Sequence, residues 1–174
     1  MVESLGRAIE DRRVKPIAAS MSTDCIARIE NMAGTRLPLD YVDFLSTCNG
    51  CTPSEGAFAI GIDDARMDCP YDSDYDVLIE ELFCFAEDHD LDLAACQHSY
   101  KLNDWAPRHV ISIGWTPAVC HLLLDLTSGG IYGWSIPGDE RAKYGDIDWN
   151  YWADKLADNF SECWTKMRIV SSPW

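Results

Sequence analysis

The stretch Leu37–Cys51, LPLDYVDFLSTCNGC, constrains the fold more than any other, because it carries a start, a buried stripe and a stop in one short run. Pro38 fixes its own φ near the helical value and lacks the N–H that a helix start leaves unpaired. Tyr41, Phe44, Leu45 and Cys48 then recur at spacings of three and four, which is one apolar face of a helix. Asn49-Gly50 offers the left-handed residue that ends such a helix. A chain built around this stretch must supply something apolar for that face to rest on.

The flanking segments indicate what supplies it. Leu5 to about Ala19 reads as an amphipathic helix or arm, with Arg12, Arg13 and Lys15 gathered before Pro16. A second helix is expected to start at Ser22–Asp24, with Cys25, Ile26, Ile29, Met32 and Ala33 inward and Gly34 as its stop. After the opening stretch the period changes to that of strands. Phe58–Ile62 is short, apolar and bounded by turn residues. Val77–Ala86 mixes signals, but β-branched and aromatic residues at both ends favour a strand. Leu91–Tyr100 reads as a short helix.

Val110–Gly114 and Val119–Leu126 are the clearest strands, and the second is too apolar to have one wet face, so it belongs in the middle of a sheet. Thr127–Gly130 is a turn, and Ile131–Ile136 returns as the other half of a hairpin. Asp148 is expected to cap a last helix with Trp149, Trp152, Leu156, Phe160, Trp164 and Met167 inward. Strands joined mostly by hairpins, with helices before and after, predict an α+β fold. That fold is one domain over residues 1–174, with a helix or arm over 1–21, a core over 22–170, and a mostly antiparallel twisted sheet of about five strands.

These elements in this order resemble the SUKH superfamily of cell-wall assembly regulators and bacterial immunity proteins. The resemblance runs from about Asp24 to Met167. It rests on Ile29-Glu30 leading through Gly34 to LPLDYVDFLSTCNG, then Phe58–Ile62, Trp105 with VISIG, LLLDL followed by Gly129-Gly130 and Ile131-Tyr132, and the tail LADNFSECW. It implies a binding module without chemistry of its own. Bacterial members of such a family capture a toxin and protect the cell that makes it; the fungal regulators act as interaction hubs in wall synthesis or signalling. An immunity protein is the expected function, and a regulatory hub the alternative. Hubs tend to carry long disordered arms, and this chain shows none beyond short termini.

Charge suggests where such a partner would sit. The chain of 174 residues carries a net charge of −15, which disfavours nucleic acid and anionic membranes and would steer a basic protein toward it. Between Asp63 and Asp92 twelve acids face one base, Arg66, so −11 of the −15 lies there. Tyr71 and Tyr75 are interleaved with these carboxylates, as aromatic anchors are in protein interfaces. The expected contact set is Asp63, Asp64, Asp68, Tyr71, Asp72, Asp74, Tyr75, Asp76, Glu80, Glu87, Asp88 and Asp90, able to occupy positions that phosphates would take in a basic nuclease cleft. The plainer reading is a solvated face that keeps the protein soluble.

Other motifs read as structural. Eight cysteines without a secretory start point to reduced thiols in a cytoplasmic protein, with Cys25, Cys84, Cys120 and Cys163 in apolar segments. Cys48 and Cys51 form a CxxC, but no second pair follows at zinc spacing and the pair ends a helix rather than starting one, with Cys51 expected in the turn after that helix. Asp72–Asp76 imitates the first half of a calcium loop, yet Val77 and Phe83 stand where glycine and glutamate are needed. His89, His98, His109 and His121 have no serine or cysteine partner at a recognisable elbow. No enzyme activity, metal or cofactor is expected. Trp115 and Trp174 are expected to be exposed, and Trp105, Trp149, Trp152 and Trp164 to lie on inward, periodic faces.

Overall fold

A computed structural model describes residues 13–18, 21, 23–61, 76–84, 107–116, 120–135 and 153–171. In chain order these form β1 (Val14–Ala18), α1 (Thr23–Ala33), α2 (Leu39–Thr47), β2 (Asn49–Pro53), β3 (Ala57–Gly61), β4 (Asp76–Ile79) and β5 (Glu81–Leu82). The hairpin strands β6 (Val110–Thr116), β7 (Cys120–Asp125) and β8 (Ile131–Ser135) follow, then β9 (Ala153–Ala157), α3 (Phe160–Lys166) and β10 (Arg168–Val170). The described strands make a seven-stranded sheet in the order β1-β2-β5-β6-β7-β8-β9 and a three-stranded sheet in the order β10-β3-β4. Every pairing is antiparallel. The fold is α+β and single-domain, with more strands than the five or so expected.

Two short corners join the sheets. Ser54-Glu55-Gly56, with Gly56 at φ 76°, carries the chain from β2 in the large sheet to β3 in the small one. Glu80 carries it back from β4 to β5, and its N–H donates to the Trp115 carbonyl at 3.1 Å, so pairing with β6 begins at the bend itself. Gly114 lies under this corner, where an added Cβ would stand 2.7 Å from the Glu81 carbonyl oxygen. Only a residue without a side chain lets the two layers close that tightly.

The helices close the core. Pro38 takes the N-cap position of α2 rather than the first helical turn, and its carbonyl accepts from Val42 N at 3.0 Å. Tyr41, Phe44 and Leu45 are buried as their spacing predicts. Phe44 meets Phe160 at 4.8 Å between ring centroids and Trp164 at 5.8 Å, so α2 and α3 share one aromatic cluster. Phe58 of the small sheet joins it through Trp164 at 6.0 Å. Tilted rings at these separations place edge against face, the favoured arrangement for aromatic pairs. Glu30 of α1 accepts from Leu37 N at 3.0 Å and ties α1 to the start of α2. The aliphatic side of the core comes from Ile111, Ile113, Leu122, Leu124 and Ile131 of the central strands.

Four expectations are corrected. Val14–Ala18 is not helical: it is an edge strand paired with β2 from Val14↔Pro53 to Ala18↔Asn49. Over its described part the expected last helix is two elements, β9 and α3, because Asn159 is extended and its side chain accepts from Glu162 N at 2.9 Å, starting α3 afresh. Its stripe at steps of four therefore spans a strand, a cap and a helix. Met32 lies 40% exposed on α1, off the buried stripe that Ile29 and Ala33 do occupy. Gly50 has the left-handed φ of 72°, but α2 ends at Thr47 with Cys48 extended, and Gly50 sits inside β2. Its need is closeness: an added Cβ would stand 2.7 Å from Cys84 Cβ and 2.8 Å from the Leu82 carbonyl oxygen. The expected stop at Gly34 is present, at φ 71°. The expected helix at Leu91–Tyr100 and the residues Asp148, Trp149 and Trp152 lie outside the described residues.

Candidate partner-binding surface

Most of the acidic contact set lies outside the described residues: Asp63, Asp64, Asp68, Tyr71, Asp72, Asp74, Tyr75, Glu87, Asp88 and Asp90. Two members fall within them. Asp76 opens β4 and is the register partner of Gly61, the last residue of β3. The segment 62–75 thus leaves and re-enters the small sheet at neighbouring positions. Glu80 stands half-buried at the corner between the sheets. Glu81, beside it, accepts from Trp115 Nε1 at 2.8 Å. Trp115, expected to be exposed, is accordingly half-buried and packed against the core; Trp174 lies outside the described residues.

Elsewhere in the described framework, carboxylates are taken up by the fold. Asp40 Oδ1 accepts from Tyr41 N at 3.0 Å, and its Oδ2 accepts from Ser161 N at 2.8 Å, so one carboxylate serves α2 and the first turn of α3. Asp125 accepts from Thr127 N at 2.9 Å and Ser128 Oγ at 2.8 Å, closing the turn between β7 and β8. Glu162 accepts from Asp158 N at 2.8 Å and pairs with Lys166 at 2.9 Å. The Asp158 N–H first, and Lys166 second, hold the Glu162 carboxyl below its usual range. These acids complete turns and helix starts, as short polar side chains do where backbone donors are left over.

The calcium-loop resemblance has a structural answer. Asp76–Ile79 is a strand, Phe83 is fully buried, and Val77 packs its Cγ2 where a Cβ on Gly133 would stand, 2.9 Å away. Val77 and Phe83, where such a loop needs glycine and glutamate, are thus taken up by the packing, whereas Asp72 and Asp74 lie outside the described residues. Among the described residues, no group of three or more His, Cys, Asp or Glu converges to hold a metal.

Sequence reasoning missed one pairing. His121, 3% exposed, has Nδ1 3.0 Å from Ser112 Oγ, across β6 and β7. Ser112 Oγ donates to the Gly114 carbonyl at 3.2 Å, at the irregularity in β6. Both groups are buried, so the contact satisfies two polar side chains inside the sheet. The pair fills polar positions on a packed sheet face. A period-two reading of β7 places His121 with Leu123 and Asp125 on the face opposite Leu122 and Leu124, and that signal was legible. His109 lies 3.9 Å from Asp125. His89 and His98 lie outside the described residues.

The thiols are mostly core. Cys84 and Cys163 are buried, Cys25 is half-buried against the core, and the Cys120 side chain lies outside the description. Burial pushes the Cys163 thiol up to about 12. Cys51 is not in a turn after α2: it lies fully buried in β2, between Pro16 of β1 and Leu82 of β5.

A helix handing over to a strand at Asn49-Gly50, a central β6-β7-β8 meander and a terminal helix against the first are the architecture on which the comparison with known families bears. A family model, the SMI1 / KNR4 family (SUKH-1), matches residues 21–164. This chain belongs to the SMI1/KNR4 family. Among curated proteins, none matches it. Two of the described strands lie outside the matched residues: β1 (Val14–Ala18) precedes them and β10 (Arg168–Val170) follows them. Each takes the outer position of a sheet, β1 beside β2 and β10 beside β3. No helix among the described residues is long and apolar enough to cross a membrane.

Proposed function

We propose that this SUKH-1 protein is an immunity protein: a non-enzymatic, cytoplasmic binder that neutralises one cognate bacterial toxin by covering its active site. Family membership supports a protein-binding role. The observation that carries the reading further is the division of charge. Framework acids such as Asp40, Asp125 and Glu162 are engaged in internal hydrogen bonds, whereas −11 of the net −15 falls between Asp63 and Asp92. Glu81 apart, which accepts from Trp115 Nε1, a framework of this kind has on this reading no use for so many further carboxylates. A basic partner does, because opposed charge raises the encounter rate and fixes orientation. The partner of this reading is a basic toxin domain, a nuclease by its chemistry, with Asp63, Asp64, Asp68, Asp72, Asp74, Asp76, Glu80, Glu87, Asp88 and Asp90 meeting its phosphate-binding positions. Tyr71 and Tyr75 are its anchors.

Co-expression with the toxin domain encoded beside this gene tests the reading. The expected result is growth with this protein and arrest without it; equal toxicity in both strains overturns it. Asp72→Lys with Asp76→Lys tests the acidic surface separately. Association is expected to slow about tenfold or more at low salt, with the difference shrinking as salt rises. A rate that ignores both the charges and the salt removes the acidic surface and leaves a binder of another face. Capture of many signalling proteins instead of one basic partner would favour the regulatory hub.

A further inference from the structure

We propose that Cys48 and Cys51 are a dithiol that closes to a disulfide in the folded protein, a site of oxidative modification by peroxide that fastens the end of α2 to β2. The thiols lie at the one point where this helix passes directly into a sheet strand. Cys48 is the C-cap residue of α2, its N–H donating to the Phe44 carbonyl at 2.7 Å. Cys51 is the third residue of β2, held on both sides by β1 and β5. Between them Gly50 turns the backbone through φ 72°, and Cys48 Sγ comes to rest 3.4 Å from the Gly50 carbonyl oxygen. The two side chains share a hydrogen bond, with Cys51 as the donor.

That asymmetry gives the pair a direction. The hydrogen bond from Cys51 lowers the Cys48 pKa against the opposing effect of burial, while the same bond and burial raise that of Cys51. Once it gives up the proton it shares with the Gly50 carbonyl, Cys48 is the sulfur that the bond from Cys51 favours as thiolate, and thiolate is the nucleophile. Its sulfur attacks one oxygen of hydrogen peroxide, the O–O bond breaks, and with one proton taken up a sulfenic acid and water result. The Cys51 sulfur then attacks Cys48 Sγ, the S–O bond breaks, and the hydroxyl leaves as water with the Cys51 proton. Two thiols have lost two electrons and two protons, and one peroxide has become two waters. With exposures of 1% and 0% the pair is closed to solvent in the folded structure, so oxidation proceeds through local opening at the α2–β2 junction and is easiest for a small reagent such as peroxide.

The surroundings favour closure over the alternative partner. Cys84 approaches Gly50, where an added Cβ would stand 2.7 Å from Cys84 Cβ. Cys84 lies across a strand boundary, however, while Cys48 and Cys51 are three residues apart and already in contact. Joining them closes a small loop with little further ordering.

Trypsin provides a clean readout, because the peptide Leu37–Arg66 has no internal lysine or arginine and holds Cys48 and Cys51 as its only cysteines. The full chain is exposed to hydrogen peroxide, quenched, denatured, alkylated and digested. The expected peptide carries no alkyl group and is two hydrogens lighter. In glutathione buffers its closure constant is expected to be at least about tenfold larger for the folded than for the urea-unfolded chain, with the urea midpoint of the oxidised protein raised accordingly. Cys51→Ser is expected to leave a dimedone-reactive sulfenic acid at Cys48. Two alkyl groups on Leu37–Arg66, a cross-link to the peptide bearing Cys84, or a lowered midpoint after oxidation each overturns the proposal. The main measurement uses the unaltered chain, so no variant has to fold for it to decide.

Discussion

The acids of the framework and the acids between Asp63 and Asp92 are the same two residue types in different circumstances. Asp40, Asp125 and Glu162 each complete a local piece of backbone: a helix start, a turn, a cap. The later acids arrive twelve to one over the only base in their stretch. The first group stabilises by giving backbone donors an acceptor that water no longer supplies. The second repels itself, which a fold does not need and a charged partner can relieve. On the proposed function, negative charge in this protein serves two ends, and mutation separates them by what it changes, stability or association.

The largest expected effect marks the framework end of that comparison. Phe44 is fully buried and touches Tyr41, Phe160 and Trp164 by ring contact. Phe44→Ala is expected to cost about 3–5 kcal/mol, because the hole it leaves is lined by rings from two helices and cannot collapse cheaply. Urea unfolding measures it. A loss below about 1 kcal/mol would mean that α2 and α3 do not share a core. Next comes a direct contrast of carboxylates. Asp40→Ala removes the acceptor for Ser161 N, 121 positions along the chain, and for Tyr41 N. It is expected to cost about 1–3 kcal/mol of stability. Asp72→Asn, at a residue that the proposed contact surface gives no part in the fold, is expected to stay within about 0.5 kcal/mol of the parent. Equal losses from the two would erase the distinction.

How far the sequence disclosed this division depends on whether a signal was local. The stripe Tyr41, Phe44 and Leu45 needed only a helical period, and the β6-β7-β8 meander only alternation and a Gly-Gly turn. β1 was misread because VKPIA is short, carries proline and becomes a strand only through its pairing with β2. The last helix was over-extended because Leu156, Phe160 and Trp164 keep a spacing of four across a strand and a cap. The decisive letters were Asn159 and Glu162, a cap followed three residues later by an acid. Cys51 was placed in a turn because Asn49-Gly50 looks like a helix stop, whereas Gly50 is required by how close Cys84 comes. Of the contact set, Asp76 and Glu80 now have places, at the mouth of the β3-β4 hairpin and at the corner between sheets. The rest of that set was argued from charge density, a property of composition, and charge density alone fixes no geometry.

The smallest effect sharpens the comparison by pH. Asp158 N–H and Lys166 depress the Glu162 pKa, and Lys155 depresses that of Asp158 through its hydrogen bond and charge. A carboxylate with a lowered folded pKa contributes stability that is complete above its unfolded value, about 4, and is lost as pH falls through the folded one. Urea midpoints taken downward from pH 6 should therefore begin to fall near pH 4. In Glu162→Gln the midpoint should be slightly lower at pH 6 and its fall with acid shallower, because the amide cannot be protonated away from Lys166. Asp72→Asn should not flatten the fall, since a carboxylate among like charges loses repulsion, not a partner, when it takes up a proton. If Asp72→Asn flattened the acid limb as much as Glu162→Gln, Asp72 would be engaged in the fold in the way that Glu162 is. The acidic stretch would then be part of the framework, and its charge would need no partner to explain it.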